Sequence, residues 1–258
     1  MVSLNDKMQV KEQYKTAVNL NTRISIHAKY SVNKQGFGNW IYEQYRLREN
    51  DRIFELGCGH GSMWTGHAIP DSAELILTDF SEGMLDSAKA NVSGRENLSF
   101  RQVDIQDIPY ADDSFDVVIA NMMLYHVPDL HKGLSEVKRV LKPGGIFYCA
   151  TYGEHGITEY VQELLADYGV KREENKVFTL QNGADLLGAH FTSVEMRRYE
   201  DRLEVTETGD LVDYILSLDG MADFRAVTAG ELCLVLERQK KNGIITVPKE
   251  YGMFVSVK

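Results

Sequence analysis

The chain has 258 residues, 43% of them hydrophobic, enough for one large core or a core with an elaborated cap. Its 38 Asp and Glu against 28 Lys and Arg give a formal net charge of −10, which argues against a duplex or transfer-RNA substrate because phosphate binding draws on a basic face. The opening MVSLNDKMQVKEQ has no apolar signal-peptide core, and no stretch approaches about eighteen uninterrupted apolar residues, so neither a leader nor a membrane span is expected.

Residues 10 to 48 mix aromatics (Tyr14, Tyr30, Phe37, Trp40, Tyr42, Tyr45) with polar side chains. Trp40, Ile41 and Leu47 fit one broad helical face, with Tyr45 at its margin and Asn39 as a candidate cap. From residue 51 the pattern alternates. Arg52 to Leu56 reads as a short strand ending in glycines, and Ser62 to Ala68 as the first turns of a helix stopped near Pro70. Ala73 to Thr78 reads as a second strand, followed by a helix capped by Ser81 that carries Met84, Leu85 and Ala88 on one side. Leu98 to Val103 alternates like a strand. Phe115 to Ala120 is nearly all apolar, as a central parallel strand covered on both faces must be. Leu134, Val137, Val140 and Leu141 form a helical stripe that Lys142-Pro143-Gly144-Gly145 ends before the strand Ile146 to Ala150.

Further on, Ile157, Tyr160, Val161, Leu164 and Leu165 make an amphipathic helix, and Val194 to Arg198 a strand. Two helices follow near 209–218 and 226–241, the second stopped at Asn242-Gly243, before a closing strand Gly252 to Val257. The alternation implies an α/β fold with a doubly wound, parallel, Rossmann-like sheet. No repeat or linker divides it. One domain over 1–258 is expected, with an N-terminal helical lid (8–48), a core (50–152) and a helical cap insertion before the last strand (200–248). Cys58, Cys149 and Cys233 are scattered and odd in number, as reduced thiols of a cytoplasmic protein would be. Cys58 and His60 are close, but no second ligand pair follows with zinc spacing, so no metal is expected. Oligomeric state is not readable.

Phe54-Glu55-Leu56-Gly57-Cys58-Gly59-His60-Gly61-Ser62 follows the first strand, where a doubly wound sheet binds its ligands. The dinucleotide fingerprint needs its third glycine one position later, where this chain has Ser62. Glu55 would also repel a pyrophosphate and favour a positively charged ligand. Asp79 ends the second strand at the place where a carboxylate accepts from a ribose diol. Phe80 and Met84 can flank a purine. Asp104, within Val103-Asp104-Ile105-Gln106, can accept from an exocyclic amine, and Asn121 to His126 follow the fourth strand.

With these pieces the chain resembles the class I S-adenosylmethionine-dependent methyltransferases of the small-molecule, type 11 kind. The matching stretches are ELGCGHG, LTDFSEGML, VDIQDIPYADDSFDVVIANMMLYHV and LKPGG, spanning about 50 to 150. The resemblance implies S-adenosyl-L-methionine as cofactor and a small organic molecule as methyl acceptor. It implies that Glu55, Gly57, Gly59 and Gly61 line the methionine part, Asp79 takes the ribose hydroxyls, and Phe80 and Met84 cover the adenine. Asp104 and Ile105 would contact the adenine edge, and the backbone at Asn121 would lie near the methionine amino group. Cys58 in the loop and Gln106 beside Asp104 complete this set. Where the family often has His-His-Val, this chain has Tyr125-His126-Val127. Tyr125, His126 and His27 are the candidates for work at the acceptor, and Tyr14 and Tyr30 are expected to reach the site as the N-terminal segment closes over it. Two rivals stand beside this reading: a nicotinamide-dependent oxidoreductase, and a non-catalytic module that only binds S-adenosylmethionine.

Overall fold

The structure, a computed structural model, describes residues 17–92, 94, 96–170, 176–218 and 227–258. Tyr14 lies outside the described residues.

Seven strands form one sheet in the order β3-β2-β1-β4-β5-β7-β6. They are β1 (Arg52–Leu56), β2 (Glu74–Asp79), β3 (Leu98–Gln102), β4 (Phe115–Ile119), β5 (Leu141–Tyr152), β6 (Ser193–Val205) and β7 (Ile245–Val257). The first five are parallel, and β7 runs antiparallel to both β5 and β6. The inner parallel strands are apolar because helices cover both faces, and the strand order reverses beside β1, which puts a crevice at the carboxyl ends of β1 and β4.

Two apolar cores lie on the sheet, one gathering Phe54, Phe115, Leu134 and Phe147, the other Ile53, Leu75, Ile119 and Tyr148. Helix α3 (Glu82–Asn91) starts at Ser81, whose hydroxyl accepts from the backbone N–H of Met84, and it buries Met84, Leu85 and Ala88. Helix α4 (Leu130–Val140) is capped by Asp129 and buries Leu134, Val137 and Val140 of the predicted stripe, while Leu141 opens β5.

A third core joins α1 (Ala17–Tyr30), α5 (Ile157–Leu164), α7 (Thr208–Ser217) and α8 (Ala229–Glu237) to the outer ends of β6 and β7, through Ile26, Val161, Leu211, Leu232 and Val247. The remaining helices are α2 (Phe37–Gln44) and α6 (Gly183–Gly188). Tyr30 belongs to the third core, and its hydroxyl donates to Asp210 on α7 at 2.5 Å. Among the described residues no helix is long and apolar enough to cross a membrane.

Several expected elements differ. Ser62–Trp64 is a single 3-10 turn and not a helix, because Gly61 and Gly66 on either side have φ of 75° and 85° and Trp64 turns inward to full burial. Asn39 lies inside α2, where Gly36 holds the cap position, and Leu47 falls beyond the helix. Strand β5 begins at Leu141, so Lys142 to Gly145 lie within it; the pairing with β4 slips between Phe115 and Val117. Strands β6 and β7 each run thirteen residues and pair along their whole length. Asn242 and Gly243 do not stop α8, which ends at Glu237; both have positive φ (53° and 80°) and make the tight turn between Lys241 and Ile244 that launches β7.

Candidate cofactor and acceptor site

The chain leaves the sheet sharply at Gly57, Gly59 and Gly61, with φ of 68°, 55° and 75°, a region that costs other residues roughly 1–2 kcal/mol. The three have different reasons to lack a side chain. A Cβ on Gly57 would sit 2.9 Å from the Met123 side chain, and one on Gly61 would sit 2.7 Å from Val92 Cγ2. A Cβ on Gly59 would meet nothing within 4 Å. Gly61 therefore lets α3 pack on the loop, whereas Gly59 leaves space open. Gly61→Ala is expected to destabilise the protein by on the order of 2 kcal/mol or more through φ and overlap together. Gly59→Ala should lose only the backbone term. Urea denaturation of the two variants side by side checks the difference.

Beside this loop a cavity of about 770 Å³ opens across the carboxyl edge of the sheet. Of the expected residues, Gly57, Cys58, Gly59, Asp79, Phe80 and Met84 line its wall, as do Asp104, Ile105, Gln106 and Asn121. Tyr125, His126 and His27 line it too. They come from the ends of β1, β2, β3 and β4 and from α1, so the order of the strands gathers them.

The Asp79 carboxylate is fixed by two backbone donors, Gly59 N–H at 2.9 Å and Ser81 N–H at 2.8 Å. Burial pushes its carboxyl above the usual range, and these N–H groups pull it back. Asp104 is oriented by Gln106, whose backbone N–H and side-chain amide both donate to Oδ1, at 3.0 and 3.2 Å. Gln106 in turn accepts from Asp129 N–H at 3.0 Å, tying the turn to the start of α4. Phe80 stands exposed, while Met84 is buried. Asn121 donates to the Tyr45 hydroxyl at 2.6 Å, and its own Oδ1 is buried without a hydrogen-bond partner. Tyr125 is buried with its ring against His126 and Tyr152, at 4.5 and 4.7 Å between centroids.

Glu55, Gly61 and Tyr30 do not line the cavity, against expectation. Glu55 lies behind the glycine loop, where its carboxylate accepts from Trp64 Nε1 at 2.5 Å. Burial pushes its carboxyl up to about 7, the Trp64 hydrogen bond lowers it and the Asp79 charge raises it further. Gly61 serves packing, and Tyr30 is held in the third core by Asp210.

The rest of the wall was not anticipated from the sequence. Tyr152 and Tyr251 face each other across β5 and β7, and Glu154, Thr179, Tyr214 and Lys249 join them. Glu154 is paired with Lys176 at 3.0 Å and accepts from Thr179. One local signal existed: Lys249 sits in phase with Val247 and Tyr251 on a strand whose alternate residues are buried.

The family described as a methyltransferase domain matches residues 54–149. A demethylmenaquinone methyltransferase of Clavibacter sepedonicus is 40% identical over 95 residues, 37% of this chain and 38% of that relative, so the match spans well under half the relative's length. The Bacillus subtilis YcgJ protein superposes with a TM-score of 0.60 at 18% identity, over 86% of this chain and 97% of that one. Haemonchus contortus phosphoethanolamine N-methyltransferase 2, solved with S-adenosyl-L-methionine, has a TM-score of 0.61 at 17% identity over 100% of this chain and 60% of its own; at such identity both likenesses speak for the fold. With the Rossmann-like sheet and the glycine turn already in view, residues 54–149 are a class I S-adenosylmethionine-dependent methyltransferase domain, an enzyme domain whose cofactor is S-adenosyl-L-methionine.

Proposed function

We propose that the protein transfers a methyl group from S-adenosyl-L-methionine to a small organic acceptor, both held in the one cavity. The observation that carries this is the juxtaposition of the open space at Gly59 with the Asp79 carboxylate, whose two backbone donors fix it beside that space. Asp79 would accept from the two ribose hydroxyls. Phe80 and Met84 would cover the adenine, Asp104 and Ile105 its edge, and Gly57 and Asn121 the amino-acid end. When bound, the cofactor would supply an electrophilic methyl group on a sulfonium.

The protein's share of such a reaction is alignment and exclusion of water, for which effective molarities correspond to about 7–11 kcal/mol at best. His126 and Tyr125 would border the transfer path. His27 would contribute as an uncharged group, since burial and the Lys249 charge bring its imidazole down to about 3. A small acceptor is supported by the acidic balance of the chain and by the name of the Clavibacter relative. We read residues 1–258 as one domain in which the N-terminal segment and the helices between β6 and β7 enclose the acceptor. The three free cysteines support a cytoplasmic setting.

Isothermal titration with S-adenosylhomocysteine and with NAD tests the reading. Micromolar or tighter binding of the first with no heat from the second is expected. Heat from NAD alone would favour an oxidoreductase. Tight cofactor binding without a methylated product from any metabolite fraction would leave a binding module.

A further inference from the structure

Strand β7 and helix α1 bring an ammonium and an imidazole to one wall of the cavity, and neither is fully used by the protein. Lys249 is paired with Asp201, its cross-strand neighbour, at 2.5 Å, and the two side chains are 2% and 0% exposed. Its second acceptor is the Ser31 hydroxyl at 3.0 Å. An ammonium has three N–H groups, so one has no hydrogen-bond acceptor among the described residues. That ammonium stands 5.0 Å from the Tyr251 ring centroid and 5.5 Å from that of Tyr199.

Asp201 is better provided. It also accepts from the backbone N–H of Asn33 at 3.0 Å and of Arg202 at 2.9 Å. The surplus at this corner is therefore of donors.

His27 adds to it. Its Nδ1 is buried without a hydrogen-bond partner, and its Nε2 lies 3.5 Å from the Tyr251 hydroxyl. The ring meets Tyr214 and Tyr251 edge-on, each at 5.8 Å. His27, Tyr214, Lys249 and Tyr251 all line the cavity. A buried ion pair and a buried orphan nitrogen both cost stability, and both involve residues of the cavity wall. A second cation in this corner would face the Lys249 ammonium and an imidazole that resists protonation. An oxyanion would take the spare N–H.

We infer that His27, Lys249 and Tyr251 form the anchoring subsite for the methyl acceptor, and that the group they hold is an oxygen anion, a carboxylate or a phenolate. The inference rests on the methyl-transfer reading of the cavity and narrows it by excluding acceptors that present an ammonium at this end.

Ligand-observed NMR on the full chain saturated with S-adenosylhomocysteine, with benzoate, phenol and benzylamine as probes, tests it. Benzoate or phenol is expected to bind at least tenfold more tightly than benzylamine, and whichever of the two is tighter identifies the source of the oxygen. Lys249→Met should lose that preference while S-adenosylhomocysteine affinity stays within about twofold. Because Lys249→Met strands the Asp201 charge, the double variant Lys249→Met/Asp201→Asn, which removes both charges, is measured beside it and should behave alike. Benzylamine binding as tightly as benzoate and phenol, no probe binding to the loaded wild type, or an unchanged preference in the folded double variant would each overturn the subsite alone. Failure of S-adenosylhomocysteine to bind the wild type would instead overturn the cofactor reading beneath it.

Discussion

Asp79→Asn is expected to weaken S-adenosylhomocysteine binding by roughly 10- to 150-fold, because a hydrogen bond to a charged group contributes about 1.5–3 kcal/mol. The carboxylate is committed before any ligand arrives. Gly59 N–H binds Oδ2, Ser81 N–H binds Oδ1 and the Phe80 N–H adds to the hold, and the carboxylate keeps lone pairs for the ribose hydroxyls. An asparagine keeps one acceptor and turns the other position into an NH₂ that faces a backbone N–H. The apo protein should change little in urea midpoint, since the lost acceptor is offset by removal of a charge whose ionisation burial already opposes. Affinity and stability thus separate: titration calorimetry reads the first and denaturation the second. Wild-type affinity in a folded Asp79→Asn protein would remove Asp79 from the site and leave the glycine turn without its partner.

What could be read in advance follows from how local each feature is. Most of the stretch from Arg52 to Ala150, apart from the turn after Ser62 and the start of β5, was legible because a parallel strand needs an apolar run, a turn needs glycine, and a helix start needs a residue such as Ser81. The strand ends then converge through topology alone, so Gly59, Asp79 and Asp104 could be named together from positions far apart. Glu55 does not line the cavity, for a physical reason. Its place before the glycines suggested a group facing the ligand, but alternation along β1 and the demand of the Trp64 indole turned it behind the loop. At the acceptor end His27, Tyr125 and His126 could be named, and the rest of the wall was nearly illegible. Lys249 and Tyr251 reach it only because β6 and β7, two helices apart in the chain, pair over thirteen residues, and Asn242-Gly243 read as a helix stop hid the start of β7. Ser31, Asn33 and Asp201 complete the corner through long-range hydrogen bonds that no periodicity announces.

Ionisation of Glu55 should cost the apo protein stability as pH rises from about 4.5 to about 7, and Glu55→Gln should remove that share. Against it stands the gain that His27 gives over the lower part of that range, because its buried imidazole binds no proton where the unfolded chain still does. The Glu55 carboxyl is pushed from an ordinary 4.5 up to about 7, first by burial, then by the Asp79 charge, against the pull of the Trp64 hydrogen bond. Between those two values the folded protein keeps a proton that the unfolded chain has released. As far as this group is concerned, stability therefore falls with pH across the window and is flat above it. The full span is on the order of 3 kcal/mol. Asp79, whose carboxyl burial also raises, adds a slope of the same sign, and the Tyr45 and Cys58 side chains, both driven up by burial and by Glu55, stay neutral throughout. Glu55→Gln isolates the term because glutamine Oε1 can still accept from Trp64 Nε1 and the volume is unchanged. Urea denaturation at pH 5, 6, 7 and 8 should show the variant gaining on the wild type as pH rises, with its largest advantage at pH 8. A gap between the two proteins that is the same at every pH would mean that Glu55 ionises normally behind the loop.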